Sequence, residues 1–460
     1  MKKILYMSGH SRAAFKWGMV GEVIRRLLDD PENEVYYLDC AGRAPGYCGL
    51  NRGKHLGYCN KCAPVCLKVV KHAGLDDNHI FKIKKVKTPK WPKFDCIDDA
   101  IKYDFEGYNY GLGPVSCTMT ITRDSDFDIK KWTKQLHKYF DTEYTVFKNL
   151  EELDKQYNFD EFHTFNGRMP IVYPIVSYAR KVGKPFVLYE RGANINKLRI
   201  MSNNVPHDRC FLKSEIKRYW ENDNSIEEKE KLAKLWFEER RAGKFQNIES
   251  FTSEQIKNYL PRGFDINKEN IVYFNSSMDE VMAFESWKPT YVKNENEIIE
   301  AILEHYKNDE TKHFYLRIHP NLSRAKRKKS LQMREIGAMR NKYKNLTIIG
   351  PDEKIDTYAL IDAANKVIVS TSTVGCEATF WGNISILAGK SAYEDLDCAY
   401  KANSIQEIFD LIDAKDLKPK PKENTYPYGY YCQMYGTENK YWHAVSVCEG
   451  DFMGLHLKDK

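Results

Sequence analysis

Three apolar, strand-like stretches in the second half of the chain end in polar residues: NIVYFNSS, YLRIHP and KVIVSTSTVG. Hydroxyl groups followed by a glycine at a helix start supply short donors and free backbone N–H groups, and a nearby arginine or histidine supplies positive charge. Ligands of open α/β sheets bind at the carboxyl ends of the strands, so these residues are expected to meet at one edge. The pattern favours a phosphate or nucleotide site. Its candidate residues are Asn275, Ser276, Arg317, His319, Pro320, Ser370, Thr371, Ser372, Thr373 and Gly375.

Each stretch also has a purely structural interpretation. Ser and Thr before a helix are common N-caps, and a His-Pro pair at the end of a strand is compatible with a simple turn. Glu377 lies four residues after Thr373, where it could accept hydrogen bonds from ribose hydroxyls or only strengthen the helix start. The convergence of three polar strand ends on one sheet edge favours binding.

Candidate groups for proton transfer occur in the first half of the chain. Glu190 ends the strand-like KPFVLYERG and is the preferred general base, unless it only pairs with Arg191 or Arg168. His10, after the first strand-like run, is the second choice because imidazole titrates near neutral pH. Asn166, Arg168 and Arg191 are candidates to orient an acceptor or bind its acidic groups, although Asn166 and Arg168 could equally cap the next helix.

Five cysteines crowd into the stretch CAGRAPGYCGLNRGKHLGYCNKCAPVC. Cys59 and Cys62 have the spacing of a metal knuckle, and Cys40 and Cys48 could complete a tetrahedral thiolate set for structural zinc. Reduced thiols in a loop, or a redox Cys-x-x-Cys pair, are the alternatives. Catalysis itself is expected to need no cofactor, since Arg317 and His319 could neutralise a departing phosphate.

Bulk composition is that of a globular protein. The 460 residues are 42% hydrophobic and 29% charged, which fits two domains of roughly 200 residues each. A net charge of +7 is too small for a dedicated nucleic-acid binder, so no nucleic-acid partner is expected. The basic run at 323–330 is either a solvated helix start or a surface for an anionic substrate or membrane. Without a membrane-spanning apolar run or a signal peptide, we expect a cytoplasmic protein, with peripheral contact at the inner membrane face.

The order of strand-like and helix-like segments predicts an α/β fold with two Rossmann-like, doubly wound domains facing a cleft. KKILYMSG, a helix and NEVYYLD form a β-α-β start, and alternation is most regular from residue 271 onward. The predicted domains are 1–265, with the cysteine-rich insertion, and 266–415. A tail at 416–460, helix-like at its aromatic end, is expected to pack back on the interdomain seam. Neither half contains GxGxxG or GxxxxGK[ST], which argues against dehydrogenases and P-loop enzymes.

RIHP, followed about fifty residues later by VSTSTVGCEATFWGNISILAG, resembles the C-terminal half of bacterial capsule polysaccharide biosynthesis proteins. Those proteins are GT-B glycosyltransferases. The two stretches are similar to the HP and S motifs of transferases that use CMP-activated Kdo or sialic acid. The resemblance implies that His319 and Pro320 bind cytidine and phosphate, and that Ser370 to Thr373 bind phosphate. FNGR, YERG and the cysteine cluster resemble the same group less specifically.

The sequence therefore predicts a glycosyltransferase of capsule or surface polysaccharide synthesis. It is expected to use a nucleotide-sugar donor, with a cytidine nucleotide favoured and a CMP-sugar such as a Kdo-like one expected. The acceptor is expected to be a glycan or a lipid-linked glycan. Teichoic-acid polymerases that use CDP-glycerol or CDP-ribitol share a similar RxHP pattern, so a CDP-polyol phosphotransferase is the alternative enzyme. A non-catalytic polyanion- or glycan-binding protein, built on the cysteine knuckle and the basic run, is the alternative of another class.

Overall fold

The computed structural model describes residues 1–9, 13–44, 46, 59–244, 252, 254–323 and 330–459. The chain divides into two compact units. Unit 1 comprises Met1–Met119, Phe127–Pro206 and Tyr435–Lys460, and unit 2 comprises Thr120–Asp126 and His207–Met434. In the part of the chain that the structure describes, no helix is both long enough and apolar enough to cross a membrane.

Unit 1 is built on a seven-stranded sheet. Its elements up to residue 206 are β1 (Lys2–Met7), α1 (Ala14–Leu28), β2 (Asn33–Asp39), α2 (Cys59–His72), β3 (Ile80–Lys82), α3 (Ile97–Ile101), β4 (Asp104–Phe105), β5 (Tyr108–Asn109), α4 (Leu112–Thr122), α5 (Ile129–Tyr157), β6 (Glu161–Phe165), α6 (Tyr173–Val182), β7 (Phe186–Arg191) and β8 (Lys197–Ser202). The last residues of α4, from Thr120 onward, belong to unit 2.

Unit 2 is built on a six-stranded sheet. Its elements are α7 (Arg209–Trp220), α8 (Ile226–Arg241), β9 (Glu269–Phe274), α9 (Glu295–His305), β10 (Lys312–Arg317), α10 (Leu331–Met339), β11 (Leu346–Ile349), α11 (Thr357–Ala363), β12 (Lys366–Val369), α12 (Val374–Phe380), β13 (Ser385–Leu387), β14 (Tyr400–Lys401), α13 (Ile405–Asp413) and α14 (Tyr426–Met434). The chain then returns to unit 1 with β15 (Thr437–Glu438), β16 (Trp442–Ser446), β17 (Glu449–Phe452) and β18 (Leu455–Lys458).

The sheet of unit 2 has the order β11-β10-β9-β12-β13-β14, and each neighbouring pair is parallel. In chain order this is 3-2-1-4-5-6, the order of the dinucleotide-binding Rossmann sheet. Its strands are almost continuously apolar because helices cover both faces of such a sheet. The strand order reverses between β9 and β12, so the carboxyl ends of these two strands form the topological switch point. The strands and helices predicted from residue 271 onward are confirmed.

The sheet of unit 1 has the order β15-β8-β7-β6-β1-β2-β3. Strands β3, β2, β1, β6 and β7 are parallel and repeat the 3-2-1-4-5 order, whereas β8 pairs antiparallel with β7. The two predicted β-α-β units, β1-α1-β2 and β6-α6-β7, are present. Both units are therefore Rossmann-like, and the predicted α/β fold class is correct.

The end of the chain is β structure, so the expected helix-like character of its aromatic segment is wrong. Strands β16, β17 and β18 form an antiparallel sheet whose Trp442 and Phe452 are fully buried. An added Cβ at Gly18 of α1 would overlap the indole ring of Trp442, so α1 accepts this sheet only because glycine lies there. Met453 and Gly454 both have positive φ angles, which suits the tight hairpin turn between β17 and β18.

The division into units differs from the predicted domain boundaries at residues 265 and 415. Residues 207–265 and 416–434 belong to unit 2, and residues 435–460 belong to unit 1. The physical reason is aromatic packing of α7 and α8 against later elements. Trp220 lies 6.0 Å from Tyr430, and Phe237 stacks on Phe380 at 4.1 Å between ring centroids. A charged helix such as α8 gives little sign in the sequence of which sheet it will join.

Candidate functional site

The polar residues predicted for nucleotide binding come directly after three strands that are neighbours in unit 2, in the order β10-β9-β12. Hydrogen bonds connect the three strand ends directly. The backbone N–H of His319 donates to Asn275 Oδ1 at 2.6 Å, and that of Thr371 donates to Ser276 Oγ at 3.3 Å. The structure therefore brings the three clusters together at the topological switch point.

Asn275 lies at the centre of this edge and is 1% exposed. Its side-chain oxygen is occupied by the N–H of His319, but its Nδ2 group donates no hydrogen bond within the described residues. Burying an amide N–H without an acceptor costs about 1–3 kcal/mol. An acceptor oxygen of a ligand would remove that cost.

His319 is half-buried, and its ring orientation is fixed. It caps the short 3₁₀ turn at residues 320–322, where its Nδ1 accepts the N–H of Asn321 at 3.1 Å. In the neutral ring the proton therefore lies on Nε2, which makes Nε2 the donor. Pro320 begins the turn and, having no N–H of its own, leaves this capping pattern undisturbed. A rigid imidazole donor at a strand end suits a phosphate or a base edge.

The hydroxyl groups after β12 are tied into the protein. Ser370 Oγ lies 2.7 Å from the Tyr273 hydroxyl, and Ser372 Oγ accepts the N–H of Val374 at 3.3 Å. Thr373 Oγ1 donates to Glu377 Oε1 at 3.0 Å. These contacts orient the hydroxyls, but Thr373, the residue before α12, makes no side-chain capping hydrogen bond to the helix. Helix α12 has only seven residues, so its dipole adds little to an anion site.

Gly375 has a packing role that the sequence did not reveal. An added Cβ would lie 2.5 Å from the Tyr393 hydroxyl and 2.6 Å from Val369 Cγ2, both closer than contacts between such atoms normally allow. Its N–H donates to Ser372 O at 3.3 Å. Glycine is therefore required for α12 to approach β12.

Arg317 and Glu377 are both buried and have protein partners. Arg317 donates to the backbone oxygens of Gly350 and Glu353, and burial lowers its pKa to about 10. Glu377 accepts from the Tyr358 hydroxyl at 2.6 Å and pairs with Arg240 at 3.1 Å. Both side chains are therefore held by protein groups, and their direct contact with a ligand stays a prediction.

Glu295, the first residue of α9, joins the site although no sequence pattern pointed to it. Its Oε2 accepts the N–H of Ser276 at 2.9 Å, and it is 4% exposed. Burial raises the pKa of its carboxyl to about 8. In the sequence it looks like any acidic residue in a first helical turn, and only the fold places it behind Ser276.

A shallow cleft adjoins the switch point of unit 2, and the space of about 290 Å³ that it outlines includes open solvent. We call it the acidic cleft. Its lining residues are Asp124, Ser125, Asp126, Met278, Asn294, Glu295, Asn296, Leu331, Gln332 and Glu335. Asp124 Oδ2 accepts the N–H of Leu331 at 2.9 Å, which holds the 120–126 segment against the start of α10. The signal that could have pointed here is the Asp-Ser-Asp triplet at 124–126.

The candidate base lies in unit 1. Glu190 Oε2 accepts from Asn166 Nδ2 at 3.2 Å, and Asn166 Oδ1 accepts the N–H of Arg168 at 3.3 Å. Burial raises the pKa of Glu190, while the hydrogen bond from Asn166 and the charges of Lys16, Arg191 and Arg168 oppose the rise. A carboxylate with a raised pKa and a fixed orientation is suited to accept a proton near neutral pH.

The arginines predicted to bind the acceptor lie near this carboxylate. Arg168 is 6% exposed and donates to Ser116 Oγ at 3.2 Å. Arg191 lies over the ring of Phe15, 5.9 Å from its centroid. The contact between Arg168 and Ser116 agrees with a structural role, and acceptor binding by either arginine stays a prediction. His10 lies outside the described residues.

The predicted zinc site is described in part. Cys40 comes directly after β2, Cys59 and Cys62 begin α2, and an added Cβ at Gly42 would lie 2.9 Å from Cys59 Cβ, so the two segments approach each other. Among the described residues, no group of three or more His, Cys, Asp or Glu side chains could hold a metal ion. Cys48 lies outside that part of the chain, so zinc binding stays a prediction. Residues 324–329 of the basic run lie outside it too.

No protein-family model matches the sequence, and no curated protein matches it. Two solved structures from Thermosulfurimonas dismutans are similar to the chain. The first is KpsC, a β-Kdo 2,4-transferase, which is 13% identical in sequence. The match covers 59% of this chain and 79% of the KpsC chain, with a TM-score of 0.38. The second is KpsC, a β-Kdo 2,7-transferase, which is 16% identical in sequence. The match covers 62% of this chain and 80% of the KpsC chain, with a TM-score of 0.36.

A UDP-GlcNAc 2-epimerase from Neisseria meningitidis, bound to UDP-GlcNAc, has 10% identity and covers 94% of this chain and 97% of its own, with a TM-score of 0.28. All three TM-scores are below 0.5. Function therefore has to be inferred from the residues of the site.

Proposed function

We propose that the protein is a GT-B glycosyltransferase that uses a nucleotide-activated sugar to build a capsule or other surface polysaccharide. One observation carries the proposal: the polar ends of β10, β9 and β12 meet at the topological switch point and are hydrogen-bonded to one another. Ligands of doubly wound sheets bind at that point. The absence of both common nucleotide-binding glycine motifs leaves side-chain recognition by amide, imidazole and hydroxyl groups.

In this proposal unit 2 binds the donor. The Nδ2 group of Asn275, the Nε2–H of His319 and the hydroxyl-rich segment after β12 face the phosphate and nucleoside. Neutral donors hold a phosphate that must depart with the nucleotide, because they stabilise charge without forming a permanent ion pair. The resemblance of RIHP and VSTST to the HP and S motifs favours a cytidine nucleotide.

Unit 1 would supply the acceptor side of the reaction. Glu190 would take the proton of the attacking hydroxyl, and Asn166 would hold the carboxylate in place. Arg168 and Arg191 would bind acidic groups of a glycan or lipid-linked glycan. A structural zinc at the cysteine cluster, and peripheral contact with the inner face of a membrane, belong to the same proposal.

Nucleotide binding tests this proposal. Calorimetric titration of CMP, CDP, UDP, GDP and ADP should show selective micromolar to millimolar binding of one base, with cytidine expected. His319→Ala should weaken that binding about tenfold or more, because a hydrogen bond to a charged group contributes about 1.5–3 kcal/mol.

His313→Ala is the matched control. His313 lies at the opposite end of β10, where its Nε2 lies 2.8 Å from Thr347 Oγ1. This substitution removes the same side chain from the same strand and should leave nucleotide affinity unchanged. Selective binding of UDP or GDP would refute the cytidine preference alone, whereas binding of none of the five nucleotides would refute the transferase proposal.

A further inference from the structure

The acidic cleft shares residues and hydrogen bonds with the proposed donor site. Two of its lining residues contact Ser276: Glu295 accepts the N–H at 2.9 Å, and Gln332 Nε2 donates to the carbonyl oxygen at 3.1 Å. A third, Met278, accepts the hydroxyl of Thr371 through its sulfur at 3.5 Å. If one group of a ligand is held at Ser276 and Thr371, the part of the ligand bonded to that group would therefore lie beside the cleft.

The cleft offers mainly hydrogen-bond acceptors. Four of its lining residues carry carboxyl groups, and no lysine or arginine of the described chain lines it. Asn296, which also lines the cleft, is 4% exposed, and its Oδ1 accepts no hydrogen bond from any described residue. Its Nδ2 donates to Glu335 Oε2 at 2.8 Å and to the Gln332 carbonyl, which fixes the orientation of the amide. A buried, oriented acceptor without a donor indicates a ligand that brings O–H or N–H groups.

Two other ligand types fit this lining less well. A divalent cation needs several oxygens close together, and in the described chain no group of three or more acidic or histidine side chains could hold one. An anionic group would face the carboxylates of Asp124, Asp126 and Glu335, and like charges repel one another. An uncharged, polyhydroxylated group satisfies the acceptors without either difficulty.

We propose that the acidic cleft binds the hydroxyl groups of an uncharged sugar or polyol carried by the nucleotide donor and discriminates against donors whose sugar bears a carboxylate. This inference rests on the proposed function and narrows its substrate class. It runs against a Kdo-like or sialic-acid donor, because both of those sugars are acids. A hexose, an amino sugar in its acetylated form and an alditol share the required chemistry.

Donor pairs that differ in charge provide the test. Calorimetric titration should compare UDP-glucose with UDP-glucuronate, which differ only at C6, and GDP-mannose with GDP-mannuronate. For cytidine nucleotides, CDP-glucose and CDP-glycerol should be compared with CMP-N-acetylneuraminate. For the base that the protein binds, we expect the neutral donor to bind at least tenfold more tightly than the acidic one, and more tightly than the free nucleotide. CDP-glycerol against CDP-glucose then separates a polyol from a sugar.

Glu335→Gln locates the effect in the cleft. It removes one charge while keeping an oxygen that can accept from Asn296, so discrimination against the acidic donor should fall severalfold while affinity for the free nucleotide stays constant. Asn296→Ala should reduce the affinity of the neutral donor about tenfold and leave the free nucleotide unaffected. Glu300→Gln, an exposed carboxylate on α9 that pairs with Lys342, is the matched control and should change neither quantity.

The outcomes separate this inference from the proposed function. If none of the nucleotides or nucleotide donors binds, the proposed function fails and this inference falls with it. If nucleotides bind but acidic donors bind as tightly as neutral ones, or if Glu335→Gln leaves their ratio unchanged, the assignment of the cleft is wrong while the donor site stands. Loss of discrimination on adding EDTA would identify the cleft as a cation site and would also overturn the proposal.

Discussion

The two units share a strand order but differ in the residue types at the carboxyl ends of their strands. In unit 1 the ends of β6 and β7 carry charged groups, with Glu190 and Arg191 on β7 and Arg168 after β6. In unit 2 the corresponding edge is lined by amide and hydroxyl groups, among them Asn275 and Ser276. The shared order fixes where a ligand can bind, and the residue types decide whether the edge suits proton transfer or phosphate binding.

The units also differ in how they use charge near these edges. In unit 2, Glu377 is buried in an ion pair with Arg240, whereas the buried Arg317 donates only to backbone oxygens. In unit 1, Glu190 is half-buried, and three cations oppose the rise of its pKa. A carboxylate balanced in this way can gain and lose a proton, whereas a buried ion pair cannot without a large cost.

Replacing Glu190 should have the largest effect. If it had none, the assignment of proton transfer to unit 1 and of phosphate binding to unit 2 would be wrong. Glu190→Gln keeps the shape and the acceptor oxygen for Asn166 but removes the basic group. We expect kcat for transfer to fall about 10²- to 10⁴-fold, the usual contribution of a general base, while nucleotide affinity in unit 2 stays within twofold. Steady-state kinetics and calorimetry on the same preparation measure both.

Glu152→Gln is the control for that experiment. Glu152 is an exposed carboxylate of α5 that pairs with Lys84, so its loss should leave kcat unchanged. If Glu190→Gln kept full activity, Glu190 would not be the general base. Unit 1 would then have no assigned base among the described residues.

For unit 2, the sequence predicted where the strands and the site residues lie better than it predicted the contacts that these residues make. Period and alternation located β9, β10 and β12, and the rule for strand ends located Asn275, His319 and Ser370 at one edge. It could not place Glu295, because a glutamate in a first helical turn is ordinary, or Asp124, which lies about 150 residues before β9. Contacts made across such separations depend on tertiary packing, which a local pattern does not contain.

The end of the chain shows a different limit. We expected its final aromatic-rich segment to be helix-like, but Trp442 and Phe452 belong to antiparallel strands that pack on α1 of unit 1. The partner that makes this packing possible is Gly18, more than 400 residues earlier, and nothing in the C-terminal residues themselves identifies it. Likewise, α7 packs on Tyr430 and α8 packs on Phe380, and both partners lie far along the chain.

Buried acids give a second way to compare the units. Glu295 in unit 2 keeps its proton to about pH 8 when folded, whereas an unfolded glutamate loses it near pH 4.3. Its contribution to stability is therefore complete below about pH 4 and is lost as the pH rises toward 8. By linkage the loss amounts to roughly 3 kcal/mol between pH 4.5 and 7. Glu295→Gln should remove this part of the pH dependence, measured by urea unfolding between pH 5 and 8.

Glu143 is the corresponding acid of unit 1. It is fully buried, neither carboxyl oxygen accepts a hydrogen bond from a described residue, and burial raises its pKa well above the usual value. Glu143→Gln should therefore reduce the loss of unfolding free energy with rising pH, as Glu295→Gln does. The effect should appear in the unfolding transition of unit 1. An unchanged slope in both variants would mean that these carboxyls are not buried in solution as the structure places them.

The smallest expected effect concerns two glycines of unit 2. Gly375→Ala places a methyl group 2.5 Å from the Tyr393 hydroxyl and should destabilise unit 2 by about 1–3 kcal/mol, because overpacking forces the surroundings to shift. Gly337→Ala in α10 is the matched control: nothing lies within 4 Å of its added Cβ, and alanine should stabilise that exposed helix by about 0.5–1 kcal/mol. Urea unfolding of both variants measures the difference. If Gly375→Ala lost nucleotide affinity but no stability, the glycine would serve the ligand directly, as the sequence suggested, and the packing reason would be wrong.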